Sequence, residues 1–123
     1  MDEISQTIKE ALLQLKEKYQ IDEKNIRIKI EKKEKLEYSI MNGKAVIEES
    51  SLKNILQLKG GVLDNIKILA IGKYLGTAMD NFKKECGHPF VSLLLFLKNN
   101  NEPSGYLFSE GRAVREVTLN EII

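Results

Sequence analysis

Cys86 and His88 are the only thiol and the only imidazole in the chain, and a single residue separates them. Held together, such a pair does nucleophilic chemistry: the imidazole draws off the thiol proton and leaves a thiolate to attack an electrophile. The surrounding pattern argues for an inert thiol instead. Cys86 continues an apolar stripe that repeats at helical spacing, and a helix C-terminus carries negative partial charge, which raises a thiol pKa where catalysis needs it lowered.

Other chemistries find fewer residues still. Zinc takes three or four Cys, His or carboxylate ligands, and Cys86 with His88 supplies two. No stretch spaces Asp and Asn as a calcium loop does, and Gly60-Gly61 lacks the Gly-Lys-Ser or Gly-Lys-Thr ending of a phosphate loop. The sequence therefore predicts no catalytic residue, no metal site and no cofactor, and an enzyme using Cys86 and His88 stays only as an alternative.

Charge excludes little and suggests little. Nineteen Lys and Arg stand against eighteen Asp and Glu, so the whole chain shows no electrostatic footprint for nucleic acid or an anionic membrane. One local excess runs from Lys24 to Lys35, where six basic residues meet two acidic ones. Arg27, Lys29 and Lys33 could meet phosphates, but Tyr38 is expected on the opposite face, which leaves no aromatic platform for bases. No nucleic-acid partner is expected. A single cysteine forms no internal disulfide, no leader pattern precedes the first helix, and no apolar run approaches the ~20 residues of a membrane span. These observations predict a cytoplasmic protein with no membrane span.

The elements that must position these residues form around Phe90 to Leu97, FVSLLLFL, a run too short for a bilayer and too apolar for water. It reads as an interior strand needing cover on both faces, by helices on one and by a second layer or a partner chain on the other. Before it lies a helix whose stripe is Ile68, Ile71, Leu75, Met79, Phe82 and Cys86, closed by Gly87 and Pro89; Ile66 to Ile71 could instead alternate as a strand. Ile4, Ile8, Ala11, Leu12, Leu15 and Tyr19 mark an amphipathic first helix.

Period-two alternation marks strands at Ile26 to Ile30 and Leu36 to Ile40, and Asn42-Gly43 signals a hairpin. Taking those two as the turn pairs Met41 with Lys44, Ile40 with Ala45 and Tyr38 with Ile47, and collects Tyr38, Ile40, Ala45 and Ile47 on one face. Ser50 or Ser51 can cap a short helix of about two turns that carries Leu52, Ile55 and Leu56 and stops at Gly60-Gly61. Asn99 to Gly105 reads as a polar loop, followed by a hairpin about Glu110-Gly111 that sets Ser109 against Arg112, Phe108 against Ala113 and Leu107 against Val114; Ile122 and Ile123 suggest a docked tail.

Residues 1–123 thus read as one α+β domain, a two-layer sandwich with a mainly antiparallel sheet of about six strands in the order α-β-β-β-α-α-β-β-β against two main helices. The two αβββ halves show no internal repeat, and no motif carries a resemblance to a known family. The expected function is a non-enzymatic protein-interaction or adaptor module, partnered by a second copy of itself, with another protein as a further option. Gly72, Gly76, Val91, Leu93, Leu95 and Leu97 are the candidate contact residues, since the apolar strand asks for more cover than one short chain supplies. The alternative is a carrier holding an apolar small molecule between the Gly72 and Gly76 face and the sheet.

Overall fold

A computed structural model describes residues 3–56, 65–109 and 112–119. Helix α1 (Glu3–Tyr19) leads into a meander of β1 (Ile26–Lys32), β2 (Leu36–Asn42) and β3 (Ala45–Ser50). A short α2 (Leu52–Leu56) and a long α3 (Asn65–Cys86) precede a second meander, β4 (Ser92–Lys98), β5 (Glu102–Ser109) and β6 (Arg112–Thr118). The six strands form one antiparallel sheet in the order β3-β2-β1-β4-β5-β6. Each half is a helix followed by a three-strand meander, and the halves join where β1 pairs antiparallel with β4. No sequence identity between the halves announces this equivalence.

Local chemistry explains the element ends. Ile21 donates its amide to the Lys16 carbonyl at 3.0 Å while Gln20 takes a left-handed φ of 53°, so α1 ends in a Schellman closure built on glutamine in place of glycine. The Asn54 amide donates to Ser51 Oγ at 3.2 Å, the expected cap of α2. Gly87, at φ 69°, donates to the Lys83 carbonyl and closes α3. Residues 66–71 are helix. Gly60-Gly61, Glu110-Gly111 and residues 120–123, on which the sequence placed a helix stop, a turn and a tail, lie outside the described residues.

The helices share one face of the sheet. Ile8, Leu12 and Leu15 of α1 and Ile71, Leu75, Met79 and Phe82 of α3 are buried with Ile26, Ile28, Ile30, Tyr38, Ile40, Leu93, Leu95, Leu97, Leu107 and Val117 in one core. At about 25 cal/mol per Å² of apolar surface, each such aliphatic side chain contributes roughly 1.5–3 kcal/mol by leaving water.

Three expectations need correction. First, β4 is central, but only Leu93, Leu95 and Leu97 are fully buried; Ser92, Leu94 and Phe96 are half-buried on the face without helices, and Phe90 precedes the strand, 76% exposed. No second layer covers that face among the described residues. Second, the β2–β3 register is Asn42 with Ala45 and Met41 with Val46, then Ile40 with Glu48, so Ile47 is the extra residue of a bulge. Gly43 and Lys44 make the turn, with Gly43 at φ 60° and its amide bonded to the Asn25 carbonyl at 2.8 Å. Ala45 and Ile47 are exposed, since β3 lies at the sheet margin.

Third, the loop after β4 is only Asn99–Asn101, and β5 starts at Glu102. Asn100 and Asn101 adopt left-handed φ of 65° and 58°, a conformation asparagine tolerates well, and this tightens the connection. The last hairpin pairs Ser109 with Arg112 and Phe108 with Ala113 as expected, but a second bulge at Val114 sets Leu107 against Arg115.

Candidate functional site

The sheet register brings together a set of side chains that are far apart in sequence. On the face away from the helices, three rows cross the central strands β1, β4 and β5. Arg27, Phe96 and Ser104 make the first row; Lys29, Leu94 and Tyr106 the second; Glu31, Ser92 and Phe108 the third. Alternation along each strand assigns these residues to one face, opposite the buried Ile28, Ile30, Leu93, Leu95 and Leu107.

Aromatic packing holds the centre of this face. Phe96 and Tyr106 stack with ring centroids 5.0 Å apart, and Tyr106 meets Phe108 edge-on at 6.1 Å. Both geometries suit rings with negative faces and positive edges. Phe96, Tyr106, Phe108 and Leu94 are each half-buried, so their neighbours screen their flanks and their outward surfaces stay open. Met41, beside Arg27 on β2, is 6% exposed but lies outside the core cluster, which extends the apolar centre across β1.

Charges rim the patch. Lys29 Nζ lies 3.4 Å from Glu31 Oε1, and Lys98 forms an ion pair with Glu116. The Ser104 hydroxyl donates to Glu116 Oε1 at 3.2 Å. Hydrogen bonding from Lys98, with lesser help from Ser104 and Tyr106, holds the Glu116 carboxyl below its ordinary pKa. Arg27, half-buried between Met41 and Phe96, has no carboxylate at ion-pair distance among the described residues. The face is therefore apolar at its centre, nearly balanced at its rim, and left with one uncompensated guanidinium.

The residues selected from sequence fall elsewhere. Leu93, Leu95 and Leu97 are 0%, 2% and 7% exposed beneath the helices, and so offer no surface for contact. Gly72 and Gly76 face inward too: a Cβ on Gly72 would stand 3.4 Å from Leu52 and 3.9 Å from the Tyr38 hydroxyl, and one on Gly76 3.7 Å from Leu36. Leu52, Tyr38 and Leu36 thus stand at contact distance from this glycine face. Val91 is half-buried and lines a cleft of about 420 Å³ with Lys32, Lys33, Asp80, Lys83 and Phe90. Both Asp80 oxygens lie 2.7 Å from Lys32 Nζ, and this hydrogen bonding lowers the Asp80 pKa.

Cys86 is half-buried at the end of α3, its sulfur directed at the Lys83 carbonyl 4.0 Å away, while His88 is exposed on the following turn. No hydrogen bond joins the two among the described residues. No cluster of three potential metal ligands occurs there either, and no helix among them is long and apolar enough to cross a membrane.

Sequence reasoning missed Phe96, Tyr106 and Phe108 as a unit and, with them, the aromatic platform whose absence had counted against nucleic acid. A signal was available: in the run from Ser92 to Lys98 the alternate positions Leu94 and Phe96 must share a face with whatever charged residues of β1 pair beside them. No family model, no curated protein and no solved structure matches the chain.

Proposed function

We propose that this chain is a non-enzymatic protein-interaction module, an adaptor that works in the cytoplasm as a homodimer through the open face of its sheet. One observation carries the reading: a contiguous, half-exposed apolar patch, Leu94, Phe96, Tyr106 and Phe108, sits on the sheet face that no helix covers among the described residues. Two sheets packed face to face bury such patches about 10 Å apart, the arrangement of every β-sandwich. Contiguous apolar patches on otherwise polar surfaces mark association sites. The rim pairs Lys29–Glu31 and Lys98–Glu116 favour a protein partner over a polyanion, since they neutralise the cations that phosphates would need.

The test is solution mass. At tens of micromolar the protein should sediment at twice its chain mass of 14.0 kDa, and Phe96→Glu should reduce this to the monomer mass while leaving the far-ultraviolet circular dichroism unchanged. A monomeric wild type, or a Phe96→Glu variant that remains dimeric, overturns the proposal.

A further inference from the structure

The open face has two flanking rows that complement each other. Its central row is Lys29, Leu94 and Tyr106, and the rows on either side of it are matched by opposites: Arg27 against Glu31 on β1, Phe96 against Ser92 on β4, Ser104 against Phe108 on β5. On each strand the residue two positions before the central row and the one two positions after it differ in charge sign or in size.

A two-fold axis interchanges these rows. If it lies between two facing sheets, across the strands and along the central row, each strand is set over its own copy running the other way. Arg27 then meets the partner's Glu31, Phe96 meets the partner's Ser92, and Phe108 meets the partner's Ser104. Phe96 is offered the small, half-buried Ser92 and each guanidinium a carboxylate, twice over, as an isologous interface requires, while Phe108 meets the surface around Ser104, itself 3% exposed. The same operation lays Leu94 on the partner's Leu94, Tyr106 on the partner's Tyr106 and Lys29 over the partner's Lys29, a like-charge contact that Glu31, 3.4 Å from its own Lys29, must offset.

Desolvation makes the charge match necessary. Burying the unpaired Arg27 under a partner without a counter-charge would cost several kcal/mol. Arginine's planar fork suits a bidentate carboxylate. Glu31 can accept from its own Lys29, 3.4 Å away, and from the partner's Arg27 together, since a carboxylate has two oxygens and about four acceptor sites.

Accordingly, we propose that the occupant of this face is a second copy of the chain, stacked with β1 antiparallel over the partner's β1 so that Arg27 pairs with the partner's Glu31. The inference rests on the interaction reading above and adds the register and the pairing. Sedimentation equilibrium on full-length protein tests it. Arg27→Glu and Glu31→Arg should each raise the dimer dissociation constant at least tenfold, and the double variant Arg27→Glu/Glu31→Arg should return it to within about threefold of wild type.

Thermal melts monitored by circular dichroism establish that each variant is folded. If Phe96→Glu breaks the dimer but the double charge swap restores nothing, the face is the interface and the register proposed here is wrong. A monomeric wild type removes the broader reading as well. Fluorescence anisotropy with labelled oligo-dT and oligo-rU supplies a further check: no binding is expected, and binding that Arg27→Ala and Phe96→Ala both abolish would assign the face to a nucleic acid and overturn the self-association.

Discussion

Phe96 and Tyr106 stack within 6° of parallel although neither is the other's direct partner across the strands: Phe96 lies opposite Ser104, and Tyr106 opposite Leu94. The contact is diagonal, and the small Ser104 leaves space for the Phe96 ring to lean toward Tyr106. Diagonal neighbours lie within reach of aromatic side chains, and an offset stack adds about 0.5–1.5 kcal/mol to burial alone. Phe96→Ala should therefore lower unfolding free energy by about 1–3 kcal/mol in urea titration, less than the roughly 3–5 kcal/mol of a fully buried phenylalanine.

Two glycines should respond with opposite sign. A Cβ at Gly105 would lie 3.2 Å from Leu93 and 3.3 Å from Val117, both buried, so Gly105→Ala overpacks the sheet and should cost about 1–3 kcal/mol. At Gly76 the nearest atom is Leu36 Cδ1 at 3.7 Å, ordinary contact distance, and alanine gains helix propensity. Gly76→Ala should stabilise by up to about 1 kcal/mol. Denaturant midpoints at unchanged m-value decide both.

Tyr38 makes stability fall at alkaline pH. Burial pushes its phenol up to about 12 from the ordinary value of 10.0. A group whose folded pKa is raised contributes stability that is complete below the unfolded pKa and is lost as pH rises toward the folded one. The loss should develop between about pH 10 and 12 and be on the order of 2 kcal/mol. Tyr38→Phe should leave stability at pH 7 within about 1 kcal/mol and remove this component, as melting temperatures across the alkaline range would show.

Arg115 fastens β6 to the end of α3. Its guanidinium lies 2.6 Å from Glu85 Oε2 and 5.0 Å above the Phe82 ring. Its side chain is 40% exposed, so the ion pair contributes little and the ring contact about 0.5–1 kcal/mol. Arg115→Ala should cost about 1 kcal/mol, and added salt should diminish only the smaller part of that difference.

Cys86 should prove dispensable. The half-buried thiol has one sulfur contact, the Lys83 carbonyl, and no bond to His88 among the described residues. Cys86→Ser should change the melting temperature by no more than about 3 °C, as expected for less than 1 kcal/mol in a domain of this size. His88→Ala should leave the dimer dissociation constant unaltered.

Periodicity made most of the fold legible. The α1 stripe from Ile8 to Leu15, the α3 stripe from Ile71 to Phe82 and the alternation at Ile26, Ile28 and Ile30 all became core, because each buries one side of a regular element. The candidate site was hidden for the same reason. FVSLLLFL contains apolar residues on both faces, so sequence alone could not separate the core set Leu93, Leu95, Leu97 from the outward pair Leu94, Phe96; strand pairing does that. Bulges mislead in another way. One extra residue at Ile47 shifts every later partner of β2, and nothing in the Asn42-Gly43 signal reports it.

Both margins of the sheet carry such a bulge, at Ile47 on β3 and at Val114 on β6. A kinked, twisted margin is a poor template for another chain's backbone, and charged Glu48 and Glu49 on one side and Arg112 and Arg115 on the other deepen the misfit. Growth sideways into filaments is thereby discouraged, while the stacking proposed above would close on itself after two molecules. An assembly built that way would be finite, its limit set by the same sheet that supplies the contact.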